Sequence, residues 1–136
     1  MSITQTLTGS SLLGPVEGGP GPRLMTAATL TGDPVVNLAG DTLGKISEIM
    51  LDVPTGRIAY AVMSSGGFLG LGDRLFALPW SAMTLDTDRK CFVIDADKAR
   101  FDDAPGFDKD QWPSEADFEV LRPRVHAYWG ARGYWE

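Results

Sequence analysis

Few residues in this chain have both the type and the spacing to do chemistry. Within SSGGFLGLGDRLFALPW, Ser64 to Trp80, Gly67 and Gly72 are separated by four residues, as in the first half of a phosphate-cradling loop. Such a loop continues with Lys and then Ser or Thr, but Asp73-Arg74 follows here, and an aspartate beside a triphosphate repels it. The downstream segment reads as a strand, so no helix N-terminus is expected to face the loop, and nucleotide binding is not expected. Asp95 and Asp97, Asp102 and Asp103, and Asp108 and Asp110 could offer oxygens to a cation. They lack the glycine turn and distant glutamate of a calcium loop, and solvated turns explain them equally well. His126 is the only histidine and lies beside an aromatic helical face, while the only cysteine, Cys91, falls inside an expected strand. A nucleophilic pair would require both to leave the packed interior, so neither a catalytic residue, a metal nor a cofactor is expected.

Composition narrows the partners. The 136 residues are 43% hydrophobic and 22% charged, which suits one folded domain with appendages. A net charge of -6 has the wrong sign for a phosphate backbone, so nucleic acid is disfavoured. The longest uncharged apolar-rich run, Ile58 to Gly72, is shorter than the roughly 20 apolar residues of a spanning helix. No positive charge precedes the first apolar residues, so no secretory signal is expected, and the expected location is cytoplasmic. A lone cysteine gives no sign of an oxidising compartment.

The elements that must position these residues read as β-structure. Residues 1–24 mix Thr, Ser, Gly and Pro without a period and are read as a flexible N-terminal arm. From Met25, short apolar segments alternate with turn residues, the pattern of a small barrel or sandwich. Met25 to Leu30 and Val35 to Leu38 are the weaker strands. In LGKISEIMLDVPTGRIAYAVMSS, Ile49, Leu51 and Val53 alternate with the mixed set Glu48, Met50 and Asp52 and are expected to be buried, with Ile46 out of phase, which predicts a bulge near Ser47. Val53-Pro54-Thr55-Gly56 supplies a hairpin turn. The return strand, Arg57 to Ser64, is apolar on both faces and should be central. Strands follow at Arg74 to Leu78, Met83 to Asp86 and Cys91 to Asp95, with Pro79 ending the first of them. The expected fold is mainly β, a small antiparallel barrel that closes or nearly closes over residues 25–97.

Residues 98–136 form an acidic, aromatic extension. Asp95 to Glu119 holds nine acids and three bases, and eight of the thirteen aromatic residues follow Arg100. Ser114 is placed to cap a helix in which Phe118, Leu121, Val125 and Tyr128 share one face, and Pro123 is expected to kink or split it. The surplus aromatic surface must pack on the barrel or on another chain. Phe68, Leu69 and Leu71 of the glycine loop and Trp112, Tyr128, Trp129, Tyr134 and Trp135 of the extension are therefore the candidate interaction residues.

The stretch GDTLGKISEIMLDVPTGRIAYAVMSSGGFLGLGDRLFALPW resembles the PRC-barrel family. Its marks are Gly-Asp-x-x-Gly-Lys-Ile at Gly40 to Ile46, a hairpin with Asp52 and Thr55-Gly56-Arg57, and Gly72-Asp73 before a strand closing on Pro79-Trp80. The family's barrel is shared by the cytoplasmic domain of the photosynthetic reaction centre H subunit and the C-terminal domain of RimM-type ribosome maturation factors. The tail APGFDKDQWP with its aromatic helix is similar to that of stand-alone bacterial members. The resemblance implies a scaffold without a catalytic motif, assembling with itself or with another protein. Two alternatives stand beside it: a barrel that binds a small molecule or metal ion through residues 95–110, with or without an enzymatic role, and a ribosome-associated accessory factor.

Overall fold

The computed structural model describes residues 11–13, 24–66 and 74–135, the first three as backbone alone. One eight-stranded sheet forms the body, in the order β1-β6-β7-β2-β3-β4-β5-β8. Its strands are β1 (Ser11–Leu13), β2 (Pro34–Val36), β3 (Thr42–Asp52), β4 (Arg57–Ser64), β5 (Leu75–Leu78), β6 (Met83–Asp86), β7 (Cys91–Ile94) and β8 (Gly106–Phe107), accompanied by α1 (Ala27–Leu30) and α2 (Glu115–Trp129).

The long β3–β4 hairpin organises the sheet. The β3–β4 register shifts between Ile46 and Glu48, which leaves Ser47 as the extra residue of the expected bulge, with its hydroxyl donating to the Val62 carbonyl at 3.3 Å. Gly56, at φ +73°, completes the turn, and its amide donates to the Asp52 carbonyl at 2.8 Å. As its two apolar faces require, β4 lies between β3 and β5. Ala61 and Met63 face a core shared with Val35, Leu43, Ile46, Phe76 and Phe92, while Tyr60 and Val62 face α2.

Several expectations change. The sheet curls around its core but is not closed, because its end strands β1 and β8 do not pair. Pro79 has no amide to continue the ladder, and the 3-10 turn Trp80–Ala82 carries the chain away from β5. Thus β6 pairs with β7 and β1, and β8 takes the edge that β5 leaves open. Nor is the sheet purely antiparallel, since β1–β6 and β2–β7 are parallel. Ser11–Leu13 adds a strand where none was expected. Within Met25 to Leu30 a turn of helix replaces the strand: Ala27-Ala28 favours helix, Thr26 caps it, and Leu30 alone is buried. Leu51 and Val53 are exposed, 58% and 81%, because the register slips again between Met50 and Leu51.

The C-terminal extension is built into the same core. Phe101 is fully buried, its ring edge-on to Phe76 at 5.2 Å and tilted against Trp129 at 5.2 Å. Helix α2 starts with a reciprocal cap: the Asp117 amide donates to the Ser114 hydroxyl at 3.1 Å, and the Ser114 amide donates to the Asp117 carboxylate at 3.0 Å. It runs through Pro123 without splitting. Phe118 and Leu121 before the proline and Val125 after it pack on the sheet and hold both halves in place.

The cap provides a first test. Ser114→Ala is expected to cost about 1 kcal/mol in urea unfolding. The Ser114 amide and hydroxyl hold the Asp117 carboxyl below its ordinary value. Its contribution is therefore complete above the ordinary aspartate range and is lost as pH falls through the depressed folded value. Because Ser114→Ala keeps the amide and loses only the hydroxyl, the gap between wild type and Ser114→Ala should narrow in acid without closing.

Candidate interaction surface

Most of the tail aromatics are held by their own chain. Tyr128 and Trp129 lie under Arg100, whose guanidinium carbon is 4.9 and 5.3 Å from their ring centres and whose Nη2 donates to the Tyr128 carbonyl at 2.6 Å. The Tyr128 hydroxyl donates to the Arg100 carbonyl at 2.5 Å, so the helix end and the 3-10 turn Lys98–Phe101 lock together. Beyond the helix, Tyr134 and Trp135 fold back on α2. The His126 ring stands edge-on to Trp135 at 4.9 Å, and the Arg122 guanidinium lies over Trp135 at 4.9 Å, Phe118 at 5.4 Å and Tyr134 at 5.9 Å.

Two bonds tie this end to the β3–β4 hairpin. The Tyr134 hydroxyl donates to Asp52 Oδ2 at 2.5 Å, and Arg57 Nη1 donates to the Tyr134 carbonyl at 2.7 Å. Burial and then the bond to Asp52 push the Tyr134 hydroxyl above its ordinary pKa. Tyr134→Phe is expected to cost at most about 1 kcal/mol, the value of one partly exposed hydrogen bond. A raised folded pKa contributes stability that is complete below the ordinary tyrosine value and is lost as pH rises through the folded one. The difference between wild type and Tyr134→Phe in urea melts should therefore shrink in alkali.

A shallow groove of about 320 Å³ lies between β8 and α2, lined by Phe107, Gln111, Pro113, Val120 and Leu121, with Asp117 and Arg124 among its polar groups. Trp112 stands beside it, tilted against Phe107 at 5.0 Å and 41% exposed, and Val120 is 68% exposed. The structure therefore separates the expected contact residues. Trp112 borders the groove at the sheet edge; Tyr128 and Trp129 pack on the core; Tyr134 and Trp135 form the cluster around Arg122. Phe68, Leu69 and Leu71 lie outside the described residues. Sequence reasoning missed Val120, although a valine off the apolar face of an amphipathic helix was a readable signal.

The residues weighed for chemistry are dispersed. Cys91 is buried in β7, and burial pushes its thiol up. His126 Nδ1 is 2.9 Å from the Arg122 carbonyl inside α2. Asp97 accepts from the Arg100 amide at 3.1 Å, and Asp108 lies 3.8 Å from Arg74. Among the described residues no three His, Cys, Asp or Glu converge as a metal site, and no helix is long and apolar enough to cross a membrane. Among known proteins, the family model for the PRC-barrel domain matches residues 22–101. No curated protein matches the chain.

Proposed function

From the premise that the chain belongs to the PRC-barrel family, we propose that it is a noncatalytic assembly module, binding protein rather than transforming a substrate. The observation that carries this reading is the groove along β8 and α2, where Val120 exposes apolar surface alongside the charged groups of Asp117 and Arg124, and Trp112, packed on the groove residue Phe107, is exposed beside it. An apolar centre with a polar rim is the anatomy of a protein contact, and tryptophan and arginine are its usual anchors. The net charge of -6 favours a protein over a nucleic acid as partner, in a cytoplasmic setting.

Affinity capture from the native cell, read by mass spectrometry with the wild type and Trp112→Ser side by side, tests the reading. A defined set of proteins, this chain among them if it self-assembles, should be retained by the wild type and depleted by Trp112→Ser. Identical retention by both and by an unrelated control protein would count against it. So would a saturable, ion-specific rise in melting temperature with calcium, magnesium or zinc, the mark of the ligand-binding alternative.

A further inference from the structure

Strand β8 ends the sheet, so one of its edges faces no other strand. It pairs with β5 in the register Leu75 with Phe107 and Phe76 with Gly106, and the Ala77 amide donates to the Pro105 carbonyl at 3.3 Å. Antiparallel ladders alternate bonded and non-bonded pairs, so Gly106 belongs to a non-bonded pair and turns both its N–H and its C=O away from β5. They meet no backbone partner among the described residues. Gly106 and Phe107 also line the groove beside α2, which therefore has a hydrogen-bonding wall on one side and a helix on the other.

The helix wall has its own order. Asp117, Val120, Leu121 and Arg124 share one side of α2 and line the groove. Asp117 is engaged with the Ser114 amide, whereas Arg124 is exposed and joins no ion pair among the described residues. Along the axis Val120 and Arg124 are about 6 Å apart, at about 1.5 Å per residue. Two residues of an extended chain cover about 6.7 Å and bring side chains back to the same face. The wall therefore presents an apolar position and an unpaired cation at the repeat of a strand.

We propose that this groove takes an extended segment of another protein, added as a strand beside β8, with an apolar side chain against Val120 and Leu121 and an acidic side chain on Arg124. One residue separates the two. The proposal rests on the reading of the chain as an assembly module and states the chemistry its partner presents. Gly106 exchanges two hydrogen bonds with the segment, and Arg124 selects its charge. A side-chain carboxylate suits that cation better than a chain terminus, because terminal carboxylates are held by nests of backbone N–H groups, and the amides around Arg124 are spent within the helix. The net charge of -6 repels a uniformly acidic partner, so the segment carries that acid and no run of them.

Selection from a displayed library of random peptides against the full chain gives the first readout. An apolar residue and an acid with one residue between them should be enriched, in the order that the strand direction sets. The selected sequence, made as a capped and fluorescently labelled peptide, is then titrated by anisotropy. Arg124→Glu should weaken its binding at least about tenfold, and replacing the peptide's acid by Lys should restore affinity for that variant. Val120→Asp should also cost about tenfold. Pairing with the strand edge has its own mark. N-methylation of the one peptide residue whose N–H meets the Gly106 carbonyl should weaken binding at least about tenfold, and methylation of either neighbour at most about threefold. The Gly106 amide should exchange its hydrogen at least about tenfold more slowly in the complex. Circular dichroism of each variant separates lost binding from lost folding. A library that yields no such spacing, a peptide indifferent to the charge exchange, or a methylation series without a sensitive position would overturn the proposal. The capture experiment decides the broader reading separately, since a chain that retains a protein through Trp112 while taking no peptide remains an assembly module with a folded partner.

Discussion

Gly44→Ala is expected to destabilise the fold by about 3 kcal/mol. A Cβ at this buried position would lie 2.3 Å from the Ser64 carbonyl oxygen and 3.0 Å from Met63 Cγ. The nearer obstacle is backbone in the central strand, held by pairs to β3 and β5, so the clash cannot be relieved by rotating a side chain. Alanine would also remove some unfolded-state freedom, worth about 0.4–1 kcal/mol in favour of the fold. The steric loss is larger and sets the sign. Thermal denaturation should show a midpoint lower by roughly 10 °C, and an unchanged midpoint would contradict the close approach.

Phe101→Ala is expected to cost more, about 4 kcal/mol, in proportion to the ring removed and the cavity left. Phe101 is wholly buried between Phe76 of the sheet and Trp129 of α2, so it belongs to barrel and extension alike. Tryptophan fluorescence and far-ultraviolet circular dichroism should therefore move together to a lower urea midpoint. Two separated transitions, with the helix lost first and the sheet at its original midpoint, would mean that the extension folds independently.

The parts of the fold legible in the sequence were those governed by neighbouring residues. The bulge at Ser47 followed from a phase error in the apolar alternation, the β3–β4 turn from Pro54 and Gly56, and the start of α2 from Ser114. Long-range events were not legible in the same way. The burial expected for Leu51 and Val53 assumed that the alternation continued to the hairpin tip, but the slip after Met50 broke the phase. Closure was expected from strand count, yet whether two end strands meet depends on where Pro79 and the following turn send the chain.

The candidate surface was legible as a composition and not as an arrangement. The excess of aromatics after Arg100 was plain, but a tail aromatic can face its own core or solvent, and only tertiary packing decides. Arg100 and Arg122 made that decision for five rings, attracting Tyr128 and Trp129 in one case and Phe118, Tyr134 and Trp135 in the other. Trp112, across from Phe107, remained at the edge. Val120 and Pro123 went unnoticed as a surface because proline was read as an interruption, whereas α2 carries it on an exposed side.

The position of Cys91 has a practical consequence. Its sulfur is the chain's sole thiol, is enclosed where β7 begins, and ionises less readily than a free cysteine. An alkylating reagent in solution must therefore wait for the β6–β7 hairpin to open before it can react. With reagent in excess, the speed of modification would report how often that hairpin breathes, and a docked neighbour that steadied the sheet would slow this clock without touching the sulfur.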